Sequence, residues 1–441
     1  MARARYVWYL LWGINWGIVV FFWISGSGIG FDRGAAGVLM ALGRIAGLSA
    51  AYMILVQFFL ASRIPFLEKT FGLDHLLHFH KTHGKVAFSI LLLHPVSLVM
   101  GASMLSDRNM VAQFLVYLQS YKYVIWAFVG LILFTIIVSL SLYFVRKHLR
   151  YEAWYLVHLL TYVAVFSSFW HQIEVGTDLI LNNLFYGYWI ALYVGVFFMH
   201  ILFRFVRPLR MFYKHKFRID RVERESPTAV SVYITGRNME SFDFDGGQFM
   251  MIRFFTKGTW WQAHPFSFSQ AKNGKEIRIT VRELGDFTRH IKDLPLGTKV
   301  LIEGPYGIFT DLFGVSSKTL LVAGGIGITP LRSLMEEQVR KGKDVILLYG
   351  NKTMSDIPLK DEIELLAQSP TASVTHVMSS DPTYDGELGH IDEEKIRRLV
   401  PDISERDIYI CGPLPMVESL KETFARLGVS YSRIHSERFA L

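Results

Sequence analysis

Apolar residues follow two different rhythms along this chain. Before residue 205 they form long, nearly uninterrupted runs, at roughly 6–24, 35–60, 79–103, 121–145, 152–171 and 183–204. Each approaches or exceeds the ~20 residues that a helix needs to cross a bilayer. Short turns such as Ser25-Gly26-Ser27-Gly28 and Ser106-Asp107-Arg108-Asn109 separate them. Past Arg210 the runs shorten and begin to alternate. Val230-Ser231-Val232-Tyr233-Ile234 and Ile277-Arg278-Ile279-Thr280-Val281 read as β-strands between Gly and Pro turns, a pattern that predicts a small β-barrel. From Thr319 the order becomes strand, glycine-rich turn, helix, strand, as in α/β nucleotide-binding folds. The pattern predicts three domains: a six-helix transmembrane bundle over 1–210, an antiparallel β-barrel over 211–313 and an α/β domain over 314–441.

Composition and charge sharpen this division. The 441 residues are 51% hydrophobic and 19% charged, below the ~25% charged of ordinary soluble chains. The single cysteine, Cys411, excludes a disulfide scaffold and a thiolate-ligated metal cluster. A net charge of +8 would fit nucleic-acid binding, but its distribution argues otherwise. Residues 1–204 hold 14 Lys/Arg against 7 Asp/Glu, and the remainder 32 against 31. The excess lies in the apolar half and alternates between loops. Arg3, Arg5, Arg63, Lys69, Lys81, Lys85, Arg146, Lys147, Arg150, Arg207, Arg210 and Lys214 fall on one side, and Arg33 and Arg108 on the other, with Asp32, Asp107, Glu174 and Asp178. The positive-inside rule places the first side, with the N-terminus and everything after residue 205, in the cytosol. The first apolar run lacks a small-residue cleavage site and reads as a retained helix.

Nine of the 15 histidines lie before residue 205, and ionisable groups at membrane depth mark function by default. His80 and His94 are 14 apart in the third helix, His158 and His171 13 apart in the fifth. These spacings rise ~21 and ~20 Å, so two ligand levels match in height, although the second pair sits ~140° out of phase on an ideal helix. One imidazole from each helix at each level suits the axial positions of two stacked haems. Zinc would demand four ligands at one level. The competing reading is that such histidines merely hydrogen bond between helices. Gly84, one turn after His80, would admit a flat ring. Arg44, inside the second helix, calls for an anion, with a haem propionate and snorkelling to the interface as alternatives.

Beyond the membrane half, His264-Pro265-Phe266-Ser267 on a strand offers a hydroxyl, a ring and backbone N–H groups to an isoalloxazine. Arg282 begins a turn leading to a short helix at Thr288, whose start is placed to meet a pyrophosphate. Gly324-Gly325-Ile326-Gly327-Ile328-Thr329-Pro330 joins an apolar strand to a helix, as a phosphate-cradling loop does. It is neither G-x-G-x-x-G nor a Walker loop. Cys411-Gly412-Pro413 follows another strand. Lys352, after a third, is available to a ribose 2′-phosphate or is a plain surface lysine, and no acid stands at that strand end.

Together these features resemble the NADPH oxidase and ferric reductase superfamily, and the likeness covers nearly the whole chain. It rests on His80-x13-His94, His158-x12-His171, His264-Pro-Phe-Ser, Gly324-Gly-Ile-Gly-Ile-Thr-Pro and Cys411-Gly-Pro, in family order. The resemblance implies two b-type haems, the inner between His80 and His158 and the outer between His94 and His171. It implies FAD with Ser267 near the flavin N5, and NADPH or NADH with Cys411 near the nicotinamide. Glu437 and Phe439 match an acid followed by a terminal aromatic that covers the flavin, with two residues still following Phe439. Arg44 matches an arginine near the outer haem, where an oxygen species is stabilised. The implied activity is transfer of electrons from cytosolic NAD(P)H across the plasma (bacterial inner) membrane to external O2, forming superoxide, with NADPH favoured. A ferric or cupric reductase with the same cofactors is the main alternative, and an electron-carrier subunit for a partner protein the second. No EF-hand loop is visible, so activity without calcium is expected. No partner protein is read from the sequence.

Overall fold

A computed structural model of the chain describes residues 2–26, 34–142, 148 and 151–437. Phe439 and the loop charges Arg33, Arg146, Lys147 and Arg150 lie outside the described residues. The chain divides into two compact units, Met1–Phe205 and Val206–Leu441.

The first unit contains six helices long and apolar enough to cross a membrane. Numbering only the long helices, they are α1 (Ala2–Ser25), α2 (Gly34–Ala61), α3 (Leu73–Ser106), α4 (Val124–Ser141), α5 (Tyr151–Val175) and α6 (Asn183–Ile201). The chain is a multi-pass membrane protein. Large apolar side chains such as Val163, Phe166, Val194 and Phe198 are exposed on this unit, as suits helices solvated by lipid. The interior is built around α2, whose buried residues are mostly small: Ala36, Gly37, Ala41, Gly43, Ala46, Ser49, Ala50 and Ala51. Without a hydrophobic drive between helices in lipid, small residues let backbones approach and gain dispersion contacts. A Cβ on Gly43 would lie 2.8 Å from the Leu98 side chain, and one on Gly101 would lie 2.7 Å from Met40. Thus α2 and α3 pack antiparallel at close range. Gly130 serves α4 and α5 likewise, facing the Ala164 carbonyl at 2.8 Å.

The second unit opens with six strands, and here the expected barrel is corrected. β1 (Arg218–Ser226), β2 (Ala229–Thr235) and β5 (Ile277–Arg282) form one three-stranded sheet; β3 (Phe249–Phe254), β4 (His264–Ser267) and β6 (Val300–Tyr306) form another. They are not closed barrels. One bridge between Arg218 and Lys299, and the Ser269 N–H donating to the Arg278 carbonyl at 2.9 Å, join the two sheets. β4 has only four residues and contains Pro265, which offers no N–H to a further strand. The core follows the two-residue period of pleated strands: Val230, Val232 and Ile234 face Ile277, Ile279 and Val281, and Met250, Ile252 and Phe254 join Val300 and Ile302.

The remainder is a parallel sheet in the order β10-β9-β8-β7-β11-β12. Its strands are β7 (Lys318–Gly324), β8 (Asp344–Asn351), β9 (Ala372–Met378), β10 (Glu387–Leu388), β11 (Asp407–Cys411) and β12 (Ile434–Glu437). Alternate strand residues enter different cores, Leu321, Leu347 and Tyr409 in one and Leu320, Leu348 and Ile408 in the other. Burial on both faces is the mark of a doubly wound sheet. The strand order reverses between β7 and β11, and a ligand crevice is expected outside the carboxyl ends of strands at such a point.

Candidate functional site

In the membrane unit, the structure brings the four histidines together in the expected pairs. The rings of His80 and His158 are 6.2 Å apart centre to centre, and those of His94 and His171 are 6.4 Å apart. Two opposed imidazole nitrogens holding one metal at ~2.0–2.1 Å each put their ring centres ~6 Å apart, so both gaps fit an axially ligated iron. Among the described residues no group of three or more His, Cys, Asp and Glu side chains assembles. His171 lies within the helix Tyr151–Val175. Ser167 and Ser168 both donate to the Ala164 carbonyl, a local pattern that bends helices. Pro95, directly after His94, removes a backbone hydrogen bond from α3.

Supporting residues come from α2. His94 Nδ1 donates to the Gly43 carbonyl at 2.8 Å. Because a carbonyl only accepts, the Nε2 lone pair is left for a metal. A Cβ on Gly47 would come within 2.5 Å of the His94 ring, so glycine there makes the space that the imidazole fills. Gly84 faces Gln57 at ordinary contact distance, 3.6 Å, and so it is α2 that occupies its face. On α5, Trp154 stacks on His158 at 5.1 Å. Arg44 is ion-paired with buried Asp178 at 3.4 Å, so a protein carboxylate supplies the anion that this position calls for. Four-residue spacing of Gly43 and Gly47 is a legible small-xxx-small signal; nothing local identifies Gln57 or Asp178.

In the second unit, the glycine-rich loop and Cys411-Gly412-Pro413 meet at the β7/β11 switch point. A Cβ on Gly327 would lie 2.2 Å from the Cys411 carbonyl, and one on Gly412 would lie 3.1 Å from Gly324. Gly325 holds φ +54°, where side chains are disfavoured. Pro330 and Thr329 sit in the first turn of α7 (Ile328–Arg340), with Thr329 Oγ1 donating to the Ile326 carbonyl at 3.1 Å. Cys411 is buried. Burial pushes its thiol well above the usual range, and the nearby Glu437 charge adds to this, so it stays a neutral, compact wall rather than a nucleophile. Glu437 is the register partner of Cys411 on β12.

On the flavin side, Ser267 is buried on β4 opposite Phe249. His264 stacks on Phe287 at 3.7 Å, and Phe266 lies 6.4 Å from the same ring. The short helix starts at Asp286 rather than at Thr288, whose hydroxyl accepts from the Leu284 and Gly285 N–H groups and so closes the turn. Arg282 reaches from β5 to the glycine loop. Its Nη1 is 3.1 Å from the Cβ position of Gly325, Nε donates to Thr228 at 3.1 Å, and Nη2 to Asp356 at 2.8 Å. Burial disfavours the Asp356 charge, but hydrogen bonds from Ser226 and Thr228, with the Arg282 guanidinium, outweigh it and hold this carboxyl below the usual range. Lys352 is exposed after β8. The expectation of no acid near it is corrected: Asp381, from beyond β9, accepts from the Met354 N–H at 3.0 Å. Sequence reasoning missed Asp356 and Asp381, because the partners Thr228 and Arg282 of the one and Met354 of the other are distant in sequence.

Three family profiles match consecutive parts of the chain. "Ferric reductase like transmembrane component" covers residues 46–169, "FAD-binding domain" 216–310 and "Oxidoreductase NAD-binding domain" 321–422. Together they give the chain a ferric reductase/NADPH oxidase-like architecture with a ferredoxin–NADP reductase-like module, in which an FAD- and NAD-binding oxidoreductase unit follows a membrane component. NADH-cytochrome b5 reductase 1 of Debaryomyces hansenii is 30% identical over 165 residues, 36% of this chain and 57% of that protein. An NADPH oxidoreductase of Mycobacterium tuberculosis is 28% identical over 232 residues, 51% of this chain and 60% of its own length. The chain thus spans a little over half the length of these curated relatives. The flavohem-like FAD/NAD-binding domain of nitric oxide dioxygenase from Vibrio cholerae superposes with a TM-score of 0.47 at 22% identity, over 51% of this chain and 98% of that domain.

Proposed function

We propose that the chain is a transmembrane NAD(P)H oxidase, which draws electrons from cytosolic NAD(P)H and delivers them to O2 on the far side as superoxide. The observation that carries this reading is the pair of matched imidazole gaps, 6.2 and 6.4 Å, between α3 and α5 in a chain that also holds FAD- and NAD-binding domains. When bound, FAD converts a two-electron hydride donor into a one-electron source and haem iron relays single electrons. The family resemblance gives the residues their parts. His80 and His158 hold the inner haem, and His94 and His171 the outer. Gly324, Gly325 and Gly327 admit the dinucleotide phosphates to backbone N–H groups. Arg282 supplies a fixed cation for a pyrophosphate, with Thr288 shaping the turn beside it. Ser267 lies along the flavin edge, and Cys411 with Gly412, Pro413 and Glu437 forms the nicotinamide wall. Arg44, one residue from the Gly43 carbonyl that holds His94, presents positive charge at the outer level, tethered by Asp178.

The name of the matching transmembrane family favours a second reading, reduction of ferric or cupric ions by the same route. One assay separates the two. Purified chain loaded with haem and FAD is expected to consume O2 on NADPH and to reduce cytochrome c in a manner inhibited by superoxide dismutase. Iron reduction that is indifferent to O2, without superoxide, would overturn the oxidase reading in favour of the reductase.

A further inference from the structure

Helix α2 provides a hydrogen-bonding partner at both histidine levels, in one antiparallel register. Moving fourteen residues along α2, from Gly43 to Gln57, moves fourteen residues back along α3, from His94 to His80. At the outer level the partner is a backbone carbonyl and the tautomer is fixed. At the inner level it is a side-chain amide, which can turn. One end of the Gln57 amide lies 2.6 Å from His80 Nδ1 and 3.1 Å from the His80 carbonyl, and the other lies 2.5 Å from His83 Nδ1 and 3.0 Å from the Gly84 N–H, so the two backbone groups favour the NH2 toward His80. His83 is held in place by stacking on Phe79 at 5.2 Å, which stacks in turn on Trp12 at 5.3 Å.

Each amide orientation demands its own tautomers. With the NH2 group toward His80, Nδ1 accepts and the ring proton sits on Nε2, where it blocks a metal. The amide oxygen then accepts from His83 Nδ1–H. With the oxygen toward His80, Nδ1–H donates, Nε2 is free to ligate, and the NH2 group donates to His83 Nδ1, at the loss of the amide's contacts with the His80 carbonyl and the Gly84 N–H. We propose that Gln57 is the positioning residue of the inner site. With a metal held on Nε2, the ring proton of His80 would lie on Nδ1, the amide would be turned, and the ring proton of His83 would lie on Nε2. No proton is gained or lost. His83 is therefore the end of a relay and not a ligand. On the opposite ring, buried His158 Nδ1 has no hydrogen-bond partner among the described residues, which leaves Gln57 as the polar handle on this level. The inference rests on the reading that His80 and His158 hold a haem. It adds that the two haems are tuned by different means, one by backbone and one by an adjustable side chain.

The test is a spectroscopic redox titration of the full-length, haem-loaded protein, with electron paramagnetic resonance of the ferric form, comparing wild type with Gln57→Glu and Gln57→Leu. A carboxylate accepts more strongly from His80 Nδ1–H and makes the imidazole a better donor to iron; leucine accepts nothing. One couple is expected to move and the other to stay, downward for Glu and upward for Leu. Each shift should be on the order of tenfold in the oxidised-to-reduced ratio, ~59 mV for a one-electron couple. His83→Ala should keep both haems. If Gln57→Leu fails to load haem, the Glu variant carries the comparison. Unmoved couples, both couples moving together, or Glu and Leu moving one couple in the same direction would overturn the inference. Wild-type protein that binds FAD but no haem would instead refute the reading of the histidines.

Discussion

The membrane unit and the nucleotide unit both assemble their sites from residues distant in sequence, but by different means. In the membrane unit the paired histidines are single side chains spaced along two long helices, and a third helix rich in small residues packs against them. In the nucleotide unit the candidate residues stand at the ends of strands, where the glycine loop and Cys411-Gly412-Pro413 from neighbouring strands meet. A helix projects its ligands at intervals set by its own period. A sheet gathers whatever its strand order places side by side. The first arrangement is rigid at the ligands and depends on clearance; the second depends on cross-strand polar contacts, such as that of Arg282 with Asp356.

This contrast is open to direct attack, and the largest effect is expected where clearance is smallest. Gly47→Ala places a methyl group against the His94 ring, with overpacking that typically costs about 1–3 kcal/mol. It should lower outer-haem affinity by the ~10–100-fold typical of disturbing a ligand's support. Gly84→Ala, which meets Gln57 only at ordinary contact distance, should retain both haems. Equal haem content in the two variants would break the clearance argument.

A smaller effect is expected at the polar tie. Asp356→Asn removes charge-assisted hydrogen bonds worth about 1.5–3 kcal/mol and should lower the temperature of flavin release at pH 7. Because the folded-state pKa of Asp356 is depressed, its contribution is present above the unfolded value of ~3.9. It is lost as the pH falls through the folded value. The gap between wild type and variant should therefore close in acid, and a gap constant with pH would contradict the role of its charge. The smallest effect belongs to Lys352. An exposed charge is worth ~0.2–1 kcal/mol, so Lys352→Ala should reduce the NADPH-over-NADH ratio of kcat/KM by at most ~5-fold, while Asp381→Asn should raise it. Unchanged ratios in both variants would remove this strand end from dinucleotide choice.

The same contrast explains what was legible in the sequence. Helical periodicity is local, so the six spans and two histidine levels of matching height are legible in spacing, while the pairing of His80 with His158 and of His94 with His171 is what the family resemblance implies. Strand, glycine turn and helix in succession likewise announce the β7–α7 crossover. Sheet closure was not legible, because it depends on which edges bond: the shortness of β4 and its Pro265 leave two open sheets where alternation suggests a barrel. Arg44 advertised its need for an anion, but Asp178 is brought to it only by the packing of helices. Gln57 has no local signature, since an apolar helix carrying one amide looks the same whether that amide meets lipid, water or a ligand's imidazole.

The central claim is that two levels of paired histidines in the membrane unit each hold one haem. It is tested most directly by the haem-to-protein ratio of the purified, haem-loaded chain and of its single-histidine variants. The account predicts two haems per wild-type chain and one after His80→Ala, His94→Ala, His158→Ala or His171→Ala, with the surviving haem keeping its own redox couple. A wild-type ratio of one or less, or a ratio unchanged by loss of His94 or His158, would contradict it.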